Sequence, residues 1–124
     1  MAFPHNGDGV SDVSFSVGAE ASNVITVAVQ LLNAGSDPSE SFAVGYYLSS
    51  DSVGDAMATD PGTVAAGTDG TVIVEWADDV TGLVKSETDG DIDIAVTHTG
   101  TTGYYLNIVL PNGRVKTSAI LQFA

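Results

Sequence analysis

The residues best suited to chemistry are three carboxylates that alternate along one short stretch, Asp89, Asp91 and Asp93. Alternating carboxylates occur in calcium-binding loops, because a hard cation takes several oxygen ligands. An EF-hand loop that began at Asp89 would need glycine at its sixth position and glutamate at its twelfth, and the chain has Ile94 and Gly100 there. The three carboxylates are therefore weak candidates for a calcium site, which would need further oxygen ligands from other loops.

Groups that could catalyse a reaction are few. The two histidines, His5 and His98, have no neighbour in the sequence that would complete a catalytic set. The chain contains no cysteine, no G-x-S-x-G or H-E-x-x-H motif, and no glycine-rich phosphate loop that leads into a helix. The sequence therefore predicts a protein that is not an enzyme and that needs no cofactor.

The charge balance narrows the class of partner. Sixteen acidic residues stand against three basic ones, Lys85, Arg114 and Lys116, which gives a net charge of -13. Such a surface repels phosphate backbones and anionic membranes, so neither nucleic acid nor a membrane is an expected partner. A basic protein surface is compatible with this charge, and so is a simple role in solubility.

The N-terminus has neither a basic region nor an apolar region of the kind found in signal peptides, which predicts synthesis in the cytoplasm.

The elements that position these residues are predicted to be strands. Short runs of alternating apolar and polar residues begin near 13, 25, 42, 71, 83, 91, 104 and 115, separated by turns rich in Gly, Asp, Asn and Pro. No segment has convincing helical periodicity, although residues 51 to 57 could form one helical turn and a short edge strand could lie around Val64. The pattern predicts an all-β fold, a single antiparallel β-sandwich of about eight strands over residues 13 to 124, either immunoglobulin-like or jelly-roll-like. Residues 1 to 12 are predicted to be an extended arm.

Two turns share the tripeptide Thr-Asp-Gly, once before residue 71 and once before residue 91. An internal repeat, a calcium loop and a shared turn chemistry could each explain the pair. A third copy at the same spacing is absent, so a solenoid repeat is disfavoured. Turn chemistry explains both copies, because Asp can bond to its own backbone and Gly accepts a positive φ. On this interpretation Asp91 and Asp93 lie on the outer face of a strand whose inner face carries Ile92, Ile94 and Val96.

The aromatic residues are the remaining candidates for contacts. Tyr46 and Tyr47 form one adjacent pair and Tyr104 and Tyr105 form another, so a regular strand must point one member of each pair outward. Exposed tyrosines are favoured at interfaces. Trp76 is predicted to fill space in the core.

Several strings of the sequence resemble a group of small virion proteins of tailed bacteriophages that decorate or cement the capsid. They are V-S-F-S-V-G-A-E-A-S-N-V-I-T-V-A-V-Q-L at 13 to 31, Y-L-S-S-D at 47 to 51, S-E-T-D-G-D-I-D-I at 86 to 94, Y-L-N-I-V-L-P-N-G-R at 105 to 114 and A-I-L-Q-F-A at 119 to 124. The resemblance implies a β-sandwich that binds the major capsid protein on the exterior of the virion and reinforces the shell. It also implies a homo-oligomer, with a trimer favoured.

This resemblance leads to a set of expected contact residues in the arm and among the tyrosines: Phe3, Pro4, His5, Val10, Tyr46 and Tyr105. An alternative function is a carbohydrate- or receptor-binding sandwich from a phage tail or a cell surface, with a platform of Trp76 and Tyr46 or Tyr105. A calcium-stabilised spacer domain is a third possibility.

Overall fold

The computed structural model describes residues 10–59, 62–77 and 79–124, and these residues form ten β-strands and no helix. The strands are β1 (Asp12–Val17), β2 (Val24–Leu32), β3 (Ala43–Ser49), β4 (Thr63–Ala66), β5 (Thr71–Ala77), β6 (Thr81–Lys85), β7 (Asp91–Thr97), β8 (Gly103–Val109), β9 (Val115–Thr117) and β10 (Leu121–Gln122). Each pairing between them is antiparallel. The all-β prediction is confirmed.

The strands form two packed sheets, one with the order β1-β2-β7-β4 and one with the order β10-β8-β3-β6-β5, in which β9 also pairs with β8. The first sheet and the β10-β8-β3 part of the second have the strand order of the two sheets of an immunoglobulin constant-type sandwich. The β5–β6 hairpin adds two strands beside β3. Of the two predicted architectures, this strand order matches the immunoglobulin-like one.

The count of ten strands exceeds the predicted eight for two reasons. The short edge strand expected around Val64 is present as β4, and the helical turn considered for residues 51 to 57 is absent. The predicted last strand is divided into β9 and β10, because Ser118 interrupts the run. Its hydroxyl accepts a hydrogen bond from the Leu106 amide at 3.0 Å, so it still pairs with β8 there.

The core lies between the sheets and is built from alternate residues of each strand. On β7 the side chains of Ile92, Ile94 and Val96 are fully buried, while Asp91 and Asp93 are partly exposed on the outer face. This alternation was predicted and is confirmed. Burial of each such aliphatic side chain contributes about 1.5–3 kcal/mol to folding.

The two Thr-Asp-Gly turns carry the chain between the sheets and lie side by side. Gly70 and Gly90 have φ angles of 88° and 87°, as turn chemistry predicts. The Asp93 amide donates to the Asp69 carbonyl at 2.9 Å, and the Gly70 amide donates to Glu87 Oε2 at 2.9 Å. The first turn leads from β4 into β5, and the second leads from β6 back into β7.

Two expectations about individual residues are wrong. Val10, assigned to an arm that contacts a partner, is 4% exposed and belongs to the core, and the neighbouring Ser11 amide donates to the Leu32 carbonyl at 2.8 Å. The sandwich therefore begins by Val10, two residues before β1. Trp76, expected in the core, is 61% exposed.

Candidate docking face

The outer face of the six-stranded sheet carries a line of apolar residues that crosses five strands. Cross-strand pairing aligns Val74 of β5 with Leu83, Leu83 with Gly45, Gly45 with Val109, and Val109 with Val115 of β9. We call these five residues the apolar row. Val74 and Val115 are 42% and 44% exposed, and Leu83 and Val109 are half-buried.

Trp76 lies over the centre of the apolar row. A Cβ atom placed on Gly45 would be 3.6 Å from Cζ3 of Trp76 and 3.4 Å from Cβ of Val109. The indole thus reaches from β5 across β6 to β3, where the absence of a side chain at Gly45 gives it room. Trp76 sits where the pairing between β5 and β6 shifts, between Glu75 and Ala77. Bulges of this kind change the direction in which a side chain points, which explains why the large apolar side chain of Trp76 lies on the surface.

The adjacent part of the same face is covered by the loop of residues 50–57. Tyr47 donates its hydroxyl proton to the Gly54 carbonyl at 2.7 Å, which holds the loop over the sheet. Beneath it, Asn107 is fully buried and is bonded to Ser49 Oγ at 2.9 Å and to Thr117 Oγ1 at 2.6 Å. These polar groups are satisfied internally, so the open part of the face is the apolar row with Trp76.

The charge of this face differs from that of the whole molecule. Glu75 is the only carboxylate in the described strand residues of the six-stranded sheet, and it pairs with Gly82, whose position on β6 faces inward. Lys85 lies at the margin of the outer face, opposite Thr71. The outer face of the other sheet, by contrast, carries Asp91 and Asp93. In a protein of net charge -13, the apolar row itself thus contains no carboxylate.

The carboxylates proposed as calcium ligands lie near the two Thr-Asp-Gly turns. Partial burial, followed by the negative charges of Asp89 and Asp69, raises the pKa of Asp91. A shallow groove of about 240 Å³ runs past Asp69, Asp91 and Asp93 on the outer face of the four-stranded sheet. Within the part of the chain that the structure describes, no three His, Asp or Glu residues are grouped as a metal site requires. Calcium binding therefore stays the weak alternative that the sequence suggests.

The structure separates the tyrosines that were expected to contact a partner. Tyr46 is fully buried, so its assignment to an interface is wrong; in this pair Tyr47 is the outward residue. Tyr46 is buried because it lies on the same face of β3 as the core residues Val44 and Leu48. Tyr105 is on the outer face and half-buried, at the far end of β8 from Val109.

Three of the expected contact residues lie outside the described residues: Phe3, Pro4 and His5. His98, the other histidine, packs edge-on against Tyr104 and Phe123, with ring centroids 5.1 and 5.4 Å away. These contacts give His98 a packing role at the end of the sandwich.

The residues of the apolar row were missed by the sequence reasoning. Their signal was present but weak, because Val74, Leu83 and Val109 occupy outward positions of strands where polar residues are usual.

Neither a scan of protein-family models nor a search of curated proteins finds a match to this chain. No helix among the described residues is long and apolar enough to cross a membrane.

Proposed function

We propose that the protein is a non-enzymatic virion structural protein that binds the exterior of a tailed-phage capsid and reinforces it. The observation that carries the proposal is the apolar row with Trp76, an open apolar surface on a strongly acidic sandwich. Exposed apolar surfaces with polar surroundings are typical of sites that bind other proteins. The resemblance of the sequence to capsid decoration proteins names the class of partner, the major capsid protein.

The size of the surface supports binding by several copies at once. The apolar row crosses four inter-strand spacings of about 4.8 Å, which gives it a width of about 19 Å. A patch of this width is only part of the roughly 800 Å² that each partner buries in a stable interface. A homo-oligomer, such as the trimer implied by the resemblance, presents several such patches together and so raises the affinity through multivalency.

The proposal is tested by sedimentation with capsids of the phage that encodes the chain. The wild-type protein is expected to pellet with capsids at a fixed stoichiometry. Val115→Glu, which places a carboxylate on the apolar row, is expected to remain in the supernatant. Thr26→Glu is the matched control, since Thr26 is exposed on the outer face of the other sheet and the change in charge is the same. Equal loss of binding in both variants, or no binding by the wild type, would contradict the proposal.

A second candidate is carbohydrate binding, which the exposure of Trp76 favours. Sugar rings stack on exposed indoles, and the Trp76 side chain is 61% exposed. Trp76 is the only tryptophan in the chain, so its fluorescence reports directly on such a ligand. A saturable change with one member of a broad glycan panel would favour this function, and a flat response to every glycan would count against it.

A further inference from the structure

β5 is an edge strand with a free side. It pairs with β6 and with no other strand of the described chain, and at seven residues it is the longest edge strand there. Three large apolar side chains are exposed along it, Ile73 at 53%, Val74 at 42% and Trp76 at 61%. Edge strands are usually protected by lysine, proline, bulges or inward-pointing charges; β5 has no lysine or proline, and its protection is limited to two register shifts and Glu75. Its two register shifts lie in the pairing with β6, and no strand of the described chain pairs with its other side.

Carboxylates lie beside β5 along its whole length. Asp69 and Glu87 lie at its start, where Glu87 Oε2 accepts a hydrogen bond from the Gly70 amide at 2.9 Å. Glu75 lies within the strand, and its Oε2 accepts from the Asp79 amide at 2.8 Å. Asp79 follows the strand and accepts from the Val64 amide of β4 at 3.2 Å. Backbone hydrogen bonds therefore hold Glu87, Glu75 and Asp79 in place beside β5, with Lys85 as the nearby cation on the outer face.

We propose that β5 binds an extended segment of a partner protein as an added strand, and that this segment carries lysine or arginine at alternate positions. Its apolar side chains would continue the apolar row beside Val74 and Trp76. Its basic side chains would point to the opposite face, toward Glu75. Backbone hydrogen bonds supply affinity in this mode of binding, and the alternate side chains supply specificity. The identification of the partner as a capsid protein rests on the function proposed above.

Charge argues for a basic partner strand over a second copy of this chain. Two copies would each bring a net charge of -13 to the contact, and the acidic groups beside β5 would face one another. The chain's own first nine residues contain no lysine or arginine, so they lack the side chains that this edge requires.

The proposal is tested with end-blocked eight-residue peptides and the full-length protein, using Trp76 fluorescence. A peptide of alternating valine and lysine is expected to give a saturable change that weakens as sodium chloride is raised. The same sequence N-methylated at every residue keeps its side chains and charge but loses its backbone donors, so it is expected to bind far more weakly. A valine–glutamate peptide is expected not to bind. Equal binding of the methylated peptide, or no binding of the valine–lysine peptide, would overturn strand addition.

A pair of variants tests the role of charge. Glu75→Gln keeps an oxygen that can accept from Asp79 but removes the charge, and it is expected to weaken binding of the valine–lysine peptide about threefold. Asp91→Asn removes the same charge from the other sheet and is expected to leave the affinity unchanged. Equal effects of the two changes would show attraction to the net charge alone and would overturn the assignment to β5.

The outcomes of the peptide and capsid experiments are independent. If the protein sediments with capsids but does not bind the valine–lysine peptide, the proposed function is supported and strand addition at β5 is rejected. If the protein binds the peptide through β5 but does not sediment with capsids, the capsid role is rejected and strand addition at β5 is supported.

Discussion

Replacement of Tyr46 by phenylalanine is expected to stabilise the protein. The Tyr46 hydroxyl is buried and makes no hydrogen bond within the described structure. It lies against β6, where a Cβ atom on Gly82 would be 2.8 Å away. A buried polar group without a partner costs about 1–3 kcal/mol, because it has lost its hydrogen bonds to water. The Tyr46→Phe change removes that group and keeps the ring that fills the core.

The expected gain is about 1 kcal/mol at neutral pH, after a small loss of packing where the oxygen was. With an unfolding entropy of about 2.1 cal/mol/K per residue, a chain of 124 residues gains about 4 °C in melting temperature from this energy. Burial, with the charges of Glu75 and Asp79, raises the pKa of Tyr46 to about 12. The neutral form is therefore favoured in the folded state, and wild-type stability should fall as the pH rises from 10 towards 12. The variant should lose this part of its alkaline sensitivity.

Thermal unfolding followed by circular dichroism at pH 7 and pH 10.5 measures both effects. Tyr104→Phe is the control, because the Tyr104 hydroxyl lies 3.4 Å from His98 Nδ1 and its removal should bring no gain. A Tyr46→Phe variant that melts lower than the wild type by several degrees would refute the reasoning, since the hydroxyl would then have a stabilising partner.

Three further predictions, with four substitutions, test the turns, the outer face of β7 and the core. Gly90→Ala should destabilise more than Gly113→Ala: both glycines have φ of 87°, but a Cβ at Gly90 would lie 2.8 Å from neighbouring side chains, whereas nothing lies within 4 Å at Gly113. Urea unfolding should give a cost of about 1–2 kcal/mol at Gly113 and a larger one at Gly90. Asp91→Asn should raise the melting temperature at pH 7, because the raised pKa of Asp91 means that its ionised form is disfavoured by folding; the gain should vanish as the pH falls towards the ordinary value of 3.8. Ile94→Asp should prevent folding, because it buries a carboxylate at a position with no solvent exposure, and circular dichroism should show an unfolded chain.

The fold was largely predictable because its strands alternate clearly. Period-two patterns identified the buried faces of β2, β7 and β8, and Gly in the Thr-Asp-Gly turns identified where the chain changes direction. The interruption at Ser118 could not be predicted, because its hydroxyl replaces part of the strand pairing with Leu106. The burial of Asn107 depends on the loop of residues 50–57 that covers it, and such coverage leaves no local pattern in the sequence.

The candidate site was less predictable than the fold. The exposure of Trp76 depends on a register shift in β5, and a large aromatic side chain is more often buried than exposed. The sequence shows that one of Tyr46 and Tyr47 must point outward. Which one does so depends on which set of alternate residues in β3 faces the core. The alignment of Val74 with Val115 depends on the pairing of five strands, which composition and periodicity do not specify.

The paths into and out of the β5–β6 hairpin have a consequence for how this protein can change over evolution. Ala66 pairs with Ile94, and the Gly67 amide donates to the Asp93 carbonyl at 2.8 Å, so the chain leaves the four-stranded sheet and returns to it at the same place. Without that excursion, β4 and β7 would already be neighbours in a complete immunoglobulin-type sandwich. The hairpin is thus an insertion between β4 and β7 that carries the exposed strand. The outward residues of β5 can change without altering the pairing of β4 with β7.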